Sequence, residues 1–238
     1  MSKTLDKKLH HFIEQDKISQ GVFDRPTMMA LYDLLKKGQL DRLVGIIKTG
    51  KESNVYLGLR KKKRVAVKIY LIEASDFRNM ADYIRNDPRF SIGGHKRKIV
   101  YQWAQREYRN QTIASRLIKC PKPYAVVDNI LVMDYVGDER GPAPPLKDTK
   151  LENPKKAFED VVGSMRKLYK GGLVHGDLSE YNILYHKRPV FIDFSMGVTD
   201  KSQISGKLLE RDVEHICKFF RKRGVEANAP EVLKSIME

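Results

Sequence analysis

Residues 173–184 read L-V-H-G-D-L-S-E-Y-N-I-L, with apolar residues on both sides of a polar centre. The centre offers one carboxylate, Asp177, and one amide, Asn182, while a second apolar run at 190–194 includes another carboxylate, Asp193. A hairpin of the two runs would place the three side chains at one mouth. Phosphoryl transfer from ATP needs such a set, because one acid orients or deprotonates the acceptor while an amide and an acid hold Mg²⁺ or Mn²⁺ on the phosphates.

Each of these residues also has an ordinary structural interpretation. A lone Asp or Asn in a loop is usually a turn former or a helix cap. The spacing D-x4-N, followed by apolar-apolar-D, is much less common by chance and matches the catalytic loop and metal-binding segments of the protein-kinase signature. The order of the remaining motifs along the chain therefore becomes a test.

Two apolar segments at 43–47 and 55–59 predict strands that are joined by a small polar loop. The loop contains one glycine, Gly50, and could cover phosphates with its backbone N–H groups, although an ordinary hairpin turn has the same appearance. A third strand is predicted at 65–70, where alternation places Lys68 on a face with Ala66. Its V-A-x-K pattern is that of the kinase strand whose lysine reaches the ATP α- and β-phosphates.

Residues 71–100 are polar and include Asp87-Pro88 and a Gly93-Gly94 pair, which predicts a mobile insertion. Ser75 and Ser91 are candidate self-phosphorylation sites within it. A helix is predicted at 101–117, and its Glu107 is the best candidate to pair with Lys68. The alternative for Glu107 is an ordinary exposed helix carboxylate.

A predicted hairpin at 125–137 leads into a proline-containing segment, which is typical of a hinge between lobes. Backbone groups of Asp134, Tyr135 and Val136 would bind adenine there, with Met133 beside the ring. Four helices are predicted elsewhere: 28–37, capped at or near Thr27 and stopped by Gly38; 158–169, with Val161, Val162, Met165 and Leu168 inward; 208–223; and 231–237.

These motifs stand in kinase order, and their details resemble the RIO family of atypical protein kinases. The matching segments are T-G-K-E-S-N-V-Y at 49–56, V-A-V-K-I-Y at 65–70, residues 173–184, I-D-F-S at 192–195 and L-E-R-D-V at 209–213. The short N-terminal region resembles the type-one branch, because 42 residues leave no room for the winged-helix domain of the type-two branch. The implied fold is α+β and two-lobed, with an N-terminal extension of short helices (1–42), an N-lobe built on a five-stranded antiparallel sheet (43–136) and a truncated, mainly helical C-lobe (137–238).

The resemblance implies roles for individual residues. Asp177 resembles the catalytic base, Asn182 and Asp193 resemble the metal ligands, and the residue matching Asp193 is also implicated as the acceptor of a transient aspartyl phosphate. Asp212 would steady the catalytic loop. The implied nucleotide site consists of Ile47, Thr49, Gly50, Lys51, Glu52, Ser53, Val55, Ala66, Lys68, Glu107, Met133, Asp134, Tyr135, Val136, Glu180, Asn182 and Ile192.

The sequence also departs from ordinary protein kinases. Gly176 replaces the arginine of H-R-D, Ser195 replaces the glycine of D-F-G, and no A-P-E motif follows. The residues after Asp193 are too few for the usual peptide-binding helices. Peptide phosphorylation is therefore in doubt as the main task, and serine and the protein's own Asp193 both stay open as acceptors.

Composition limits the cellular setting and the partners. The chain has 238 residues, no apolar run long enough to cross a bilayer, no apolar core of a signal peptide and only two cysteines, which together predict a protein of the reducing cytoplasm. Its net charge of +15 attracts polyanions, and ATP alone does not require so much charge. The resembled family is associated with maturation of the small ribosomal subunit, so ribosomal RNA in a subunit precursor is the expected partner, with a solvated basic surface as the alternative.

Three functions remain open from the sequence. The first is an ATP-dependent RIO-type kinase or ATPase in small-subunit assembly. The second is a small-molecule kinase of the aminoglycoside or choline type, whose loops also read H-G-D-x4-N; the short C-terminal region disfavours it. The third is a non-catalytic RNA-binding scaffold, which the joint presence of Lys68, Asp177, Asn182 and Asp193 disfavours.

Overall fold

The computed structural model describes residues 23–73, 77–85, 87, 89 and 95–238. The chain divides into two compact units. Of the described residues, the first unit comprises 23–73, 77–85, 95–105 and 123–135, and the second comprises 87, 89, 106–122 and 136–238. The predicted helical structure before residue 23 and the candidate sites Ser75 and Ser91 lie outside the described residues.

An antiparallel five-stranded sheet forms the centre of the first unit, as predicted. Its strands are β1 (Arg42–Lys48), β2 (Ser53–Arg60), β3 (Lys63–Tyr70), β4 (Pro123–Val127) and β5 (Ile130–Asp134), in the spatial order β1-β2-β3-β5-β4. One face carries Val65, Val67 and Ile69 of β3, which pack in one core cluster with Leu31 and Leu34 of the first described helix.

That helix, α1, spans Arg25–Lys36 and begins three residues before the predicted start. The cap, predicted at Thr27 or its neighbours, is Asp24, whose side chain accepts the Thr27 N–H at 3.0 Å. Pro26 lies in the first turn, where its missing N–H is not needed. Thr27 is instead buried, and its hydroxyl accepts a hydrogen bond from the Asn129 side chain.

Two helices occupy described parts of the segment 71–100, for which the sequence predicted a mobile insertion. Helix α2 occupies Phe77–Arg85 and buries Met80 and Ile84. Helix α3 begins at Lys96 and ends at Ala114, rather than running from 101 to 117. Polar residues dominated the composition of both segments and concealed buried apolar positions such as Met80 and Ile84 of α2 and Val100 of α3.

The second unit is mainly helical. Its helices after α3 are α4 (Pro154–Lys170), α5 (Ser205–Arg221) and α6 (Ala229–Met237). They begin four, three and two residues, respectively, before their predicted starts. Its short strands pair antiparallel as β6 (Gly137–Asp138) with β7 (Gly141–Pro142), β8 (Leu173–Val174) with β11 (Val198–Thr199), and β9 (Ile183–His186) with β10 (Arg188–Phe191).

Helix α4 buries Val161, Met165 and Leu168 as predicted, but Val162 is only half-buried. Strand β10 ends at Phe191, so Asp193 lies in the loop beyond the strand. No helix in the described part of the chain is both long enough and apolar enough to cross a membrane.

Candidate active site

One face of the first unit's sheet gathers several residues of the predicted nucleotide site. Lys68 stands opposite Val55 of β2, and Ala66 stands opposite Met133 of β5. Because directly opposed residues in antiparallel strands point to the same face, and alternate residues along one strand do so too, the four share a face. Lys68 is only 5% exposed, and its Nζ lies 4.9 Å from the centre of the Tyr70 ring.

The loop between β1 and β2 makes a tight turn at Gly50. A Cβ at that position would lie 2.8 Å from the carbonyl oxygen of Ser53, closer than real Cβ contacts. The Gly50 N–H donates to the Asn54 side chain at 3.3 Å. The predicted loop residues Thr49, Lys51 and Glu52 are exposed; Ile47 and Ser53, on the flanking strands, are half-buried.

The predicted hinge residues are divided between the two units. Asp134 and Tyr135 end the first unit, and Val136 begins the second. The Tyr124 hydroxyl donates to the Asp134 carboxylate, and this hydrogen bond, with burial, raises the pKa of Tyr124 to about 12. The carbonyl of Val136 accepts from the Ala143 N–H at 3.0 Å. Glu107 is wholly buried on α3 in the second unit, and its pairing with Lys68 stays a prediction.

The second unit brings Asp177 and Asn182 into direct contact. The Asn182 amide nitrogen donates to the Asp177 carbonyl at 2.8 Å and to the Asp177 carboxylate at 3.0 Å. The Asn182 carbonyl accepts from the Ile192 N–H at 3.0 Å, which ties this loop to the segment before Asp193. Because the amide nitrogen is engaged, the amide oxygen is the atom that Asn182 can offer to a cation.

Asp193 lies close enough to Asp177 to affect its protonation. Burial raises the pKa of Asp177 above its ordinary value, and the negative charge of Asp193 raises it further. A carboxylate and an amide oxygen are hard ligands that suit Mg²⁺ or Mn²⁺, so Asn182 and Asp193 fit a divalent cation. No group of three or more His, Cys, Asp or Glu side chains suited to a metal occurs within the described ranges.

Two residues of α5 hold the backbone around Asp177. The two carboxylate oxygens of Asp212 accept from the N–H groups of Gly176 and Leu178 at 2.8 and 2.9 Å, and the guanidinium of Arg211 donates to the Gly176 carbonyl. Burial raises the pKa of Asp212 to about 7, although both N–H bonds and Arg211 oppose that rise. Asp212 was predicted as the support of this loop, whereas Arg211 was not.

Gly176 is required by geometry. Its φ is +79°, and a Cβ there would lie 2.6 Å from the carbonyl oxygen of Met196. An L-residue with a side chain is strained in this conformation, and the space is already filled. The arginine of H-R-D therefore has no place in this loop.

His175 links the two loops of the site. Its ring is 3% exposed and packs 4.8 Å from the Phe194 ring, measured between centroids. The ring nitrogen Nε2 donates to the Ile192 carbonyl at 3.0 Å, and Nδ1 accepts from the Asp177 N–H at 3.4 Å. The sequence contained this residue in the H-x-D pattern, but its bracing role depends on contacts that spacing does not reveal.

Sequence and structure comparisons identify relatives among the RIO kinases. The family profile of the RIO domain matches residues 54–233. A RIO-type serine/threonine-protein kinase Rio1 from Methanocaldococcus jannaschii is 42% identical over 237 residues, covering 98% of this chain and 82% of the relative. The Haloferax volcanii protein of the same name is also 42% identical, covering 94% and 78%. A solved complex of Rio2 kinase with ADP, Mg²⁺ and phosphoaspartate from Chaetomium thermophilum has the same fold, with a TM-score of 0.70, 22% identity and coverage of 98% and 76%.

Proposed function

Because the chain belongs to the RIO family of serine/threonine protein kinases, we propose that its site transfers the γ-phosphoryl group of ATP to a serine hydroxyl or to its own Asp193. The observation that carries this proposal is the linked arrangement of Asp177, Asn182 and Asp193. Asp177 and Asn182 share two hydrogen bonds, and Asp193 acts electrostatically on Asp177. These are the side chains from which phosphoryl-transfer sites are built.

In this proposal each group has a defined task. Asp177 accepts the proton of an acceptor hydroxyl, and its raised pKa makes it a better base than an exposed aspartate. Asn182 and Asp193 would hold Mg²⁺ or Mn²⁺, which neutralises phosphate charge when bound. Lys68, on its buried strand, would bind the α- and β-phosphates.

Asp193 is also proposed as an acceptor in its own right. A bond forms between its carboxylate oxygen and the γ-phosphorus, the bond from that phosphorus to the bridging oxygen breaks, and ADP leaves. Hydrolysis of the resulting acyl phosphate by water completes an ATPase cycle. The Chaetomium thermophilum Rio2 structure, which contains a phosphoaspartate, supports including this acceptor in the test.

The net charge of +15 supports a further part of the proposal, which is action on small ribosomal subunit precursors in the cytoplasm. Part of this positive charge lies at the hairpin tip between β2 and β3, where the backbone conformation is unusual for lysine. Lys61 and Lys62 have φ of +50° and +64°, a two-residue turn that usually favours Asn-Gly. Lysine at both positions is conformationally costly, which favours a use for the charge such as contact with RNA phosphates.

Incubation with γ-labelled ATP, with and without small-subunit precursors, tests the function. Free phosphate, phosphoprotein and phosphorylated small molecules are separated for the wild type, Asp177→Asn and Asp160→Asn, the last changing a half-buried carboxylate on α4 that pairs with Lys156. We expect Asp177→Asn to abolish transfer to a hydroxyl while it spares ATP binding, and Asp160→Asn to behave as wild type. Label that appears only in an added aminoglycoside or choline would favour the small-molecule kinase, and bound RNA with no turnover would favour the scaffold.

A further inference from the structure

In the second unit, helix α3 presents a buried polar face. Arg106 and Asn110 are both 0% exposed, although arginine is rarely buried without charged or polar partners. Their spacing of four residues places them on the same side of the helix. A buried guanidinium costs free energy unless hydrogen bonds and a counter-ion compensate it, so its partners indicate what it is for.

Those partners are backbone carbonyls of the loop that follows Asp193. The Arg106 guanidinium donates to the carbonyls of Ser195 and Gly197 at 2.6 and 2.8 Å. The Asn110 amide donates to the carbonyls of Phe194 and Gly197 at 2.9 and 2.8 Å. Three carbonyls within four residues are thus fixed by two side chains. A Cβ at Gly197 would lie 2.9 Å from the Asn110 amide nitrogen, so the contact tolerates no side chain there.

Arg106 and Asn110, with the three carbonyls that they bind, are called the clamp. Asp87 supplies its counter-ion. Its carboxylate accepts from Arg106 Nε at 3.1 Å and from Arg89 at 2.6 and 2.8 Å, while its side chain is 6% exposed. Arg89 also donates to the Asn110 amide oxygen at 2.9 Å. The amide oxygen is therefore occupied by Arg89, which fixes the amide nitrogen toward the loop carbonyls.

The clamp continues to Asp193 through Ser195. The Ser195 hydroxyl donates to Asp193 Oδ1 at 2.7 Å, and the Ser195 carbonyl is held by Arg106. Asp193 has φ of +64°, a left-handed conformation that is strained for a residue with a side chain and persists only when its surroundings enforce it. The clamped carbonyls and the serine hydroxyl provide that enforcement.

We propose that Asp87, Arg106, Asn110 and Ser195 are positioning residues for Asp193, fixing its backbone and the rotation of its carboxylate for the divalent cation. This inference rests on the proposed function. None of the four is proposed to touch the nucleotide. Groups that orient a metal ligand typically change metal affinity about 10- to 100-fold when they are removed.

Arg106→Lys is the first test, because lysine keeps the charge beside Asp87 but cannot donate to two carbonyls at once. Arg166→Lys is the matched control, since Arg166 on α4 also donates to a backbone carbonyl, that of Ser235, at 2.7 Å. Mn²⁺ is titrated into the protein with ADP, and free Mn²⁺ is followed by electron paramagnetic resonance. We expect Arg106→Lys to weaken Mn²⁺ binding about 10- to 100-fold and Arg166→Lys to leave it unchanged.

Ser195→Ala keeps the inference falsifiable if Arg106→Lys does not fold. It removes one hydroxyl, leaves the Arg106 contacts in place, and should weaken Mn²⁺ binding in the same direction. Where both variants fold, their effects should be less than additive, because they act through one path to Asp193. A purely structural role would instead lower the unfolding temperature of Arg106→Lys without changing Mn²⁺ affinity.

The outcomes separate the two proposals. A wild-type protein that binds no Mn²⁺–ADP would remove the proposed function and the positioning role together. A wild-type protein that binds Mn²⁺–ADP, with folded Arg106→Lys and Ser195→Ala variants within twofold of it, would overturn the positioning role alone. Metal-free ADP affinity, measured by calorimetry in EDTA, should be equal in all the proteins, because the proposed path ends at a metal ligand.

Discussion

At the scale of single residues, Gly176 offers the sharpest stability test. Gly176→Ala introduces a Cβ that would lie 2.6 Å from the Met196 carbonyl in a left-handed conformation, so we expect a loss of about 1–3 kcal/mol in the free energy of unfolding. Gly163→Ala is the control, because Gly163 lies inside α4 with nothing within 4 Å of the added methyl group. It should stabilise the protein by about 0.5–1 kcal/mol. Urea unfolding of both variants gives the comparison, and equal stabilities would refute the geometry.

Arg211 provides a prediction about pH dependence. Burial and Asp193 raise the pKa of Asp177, and the positive charge of Arg211 opposes that rise. Arg211→Gln should therefore raise the pKa of Asp177 further. Because a general base acts only when deprotonated, the acid limb of kcat/KM should move to higher pH.

The control for this shift is Arg223→Gln, which removes an arginine that stacks 3.6 Å from the Phe219 ring centre. Profiles of kcat/KM between about pH 4.5 and 8 for the three proteins should show a displaced acid limb only in Arg211→Gln. A displacement to lower pH would show that Arg211 does not act on Asp177 in this way.

At the scale of elements, the N-terminal cap of α1 is a testable contribution. Asp24→Ala removes the acceptor of the Thr27 N–H and the ion pair with Arg97, so we expect a loss of about 1 kcal/mol. Asn228→Ala is a suitable comparison, because Asn228 occupies the same position on α6 without a side-chain hydrogen bond to the helix N–H groups. It should cost only a few tenths of a kcal/mol.

The Asp24 cap also predicts a direction with pH. Burial would raise the pKa of Asp24, but the hydrogen bonds of Thr27 and the contact with Arg97 outweigh burial and lower it. A lowered pKa means that the stabilisation is present above the unfolded value, near 3.9, and is lost as pH falls through the folded value. The gap in unfolding free energy between wild type and Asp24→Ala should thus narrow in acid, and a gap that widens there would contradict the cap.

The sequence predicted the elements whose burial follows a simple period. The strand containing Lys68 and the helix containing Val161, Met165 and Leu168 were found because their apolar residues recur at the spacing of a strand or a helix. Helix α2 was missed because its described buried residues, Met80, Ala81 and Ile84, lie within a polar segment. The buried face of α3 was also missed, since Arg106 and Asn110 have the composition of an exposed helix surface.

The residues of the candidate site were likewise predicted only in part. Asp177, Asn182 and Asp193 were named from their spacing, because the chemistry restricts which residue types can occupy those positions. Arg211 and Ser195 act through contacts with backbone carbonyls or with one carboxylate oxygen. The Arg211 contact joins residues 35 positions apart, so it depends on how distant segments meet and no local pattern encodes it. Ser195 lies two residues from Asp193, but the sequence does not show that its hydroxyl donates to that carboxylate.

At the scale of the whole molecule, the net charge of +15 predicts salt-sensitive binding to RNA. Each phosphate contact contributes a slope of roughly 0.7–0.9 in log K against log salt. The double change Lys61→Asn with Lys62→Gly removes two charges and suits the left-handed turn, so it should lower the slope without loss of stability.

Lys218→Gln with Lys222→Gln is the matched comparison, since it removes two exposed charges near the end of α5. Filter binding of small-subunit RNA across a salt series distinguishes the two surfaces, and calorimetry checks that ADP affinity is retained. If neither double substitution changes the slope of log K against log salt, the charges at both places serve solubility alone.

The buried guanidinium of Arg106 also has a consequence for synthesis of the chain. The carbonyl of Ser195, which it binds, lies 89 residues further along the sequence, whereas Asp87 lies 19 residues before it. At about 5–20 residues per second, the ribosome synthesises Arg106 roughly 4–18 seconds before it synthesises Ser195. Asp87 is already present throughout this interval. We therefore expect the Asp87–Arg106 pair to neutralise the guanidinium in the nascent chain, and slowed translation between codons 106 and 195 to lower the yield of Asp87→Asn more than that of the wild type.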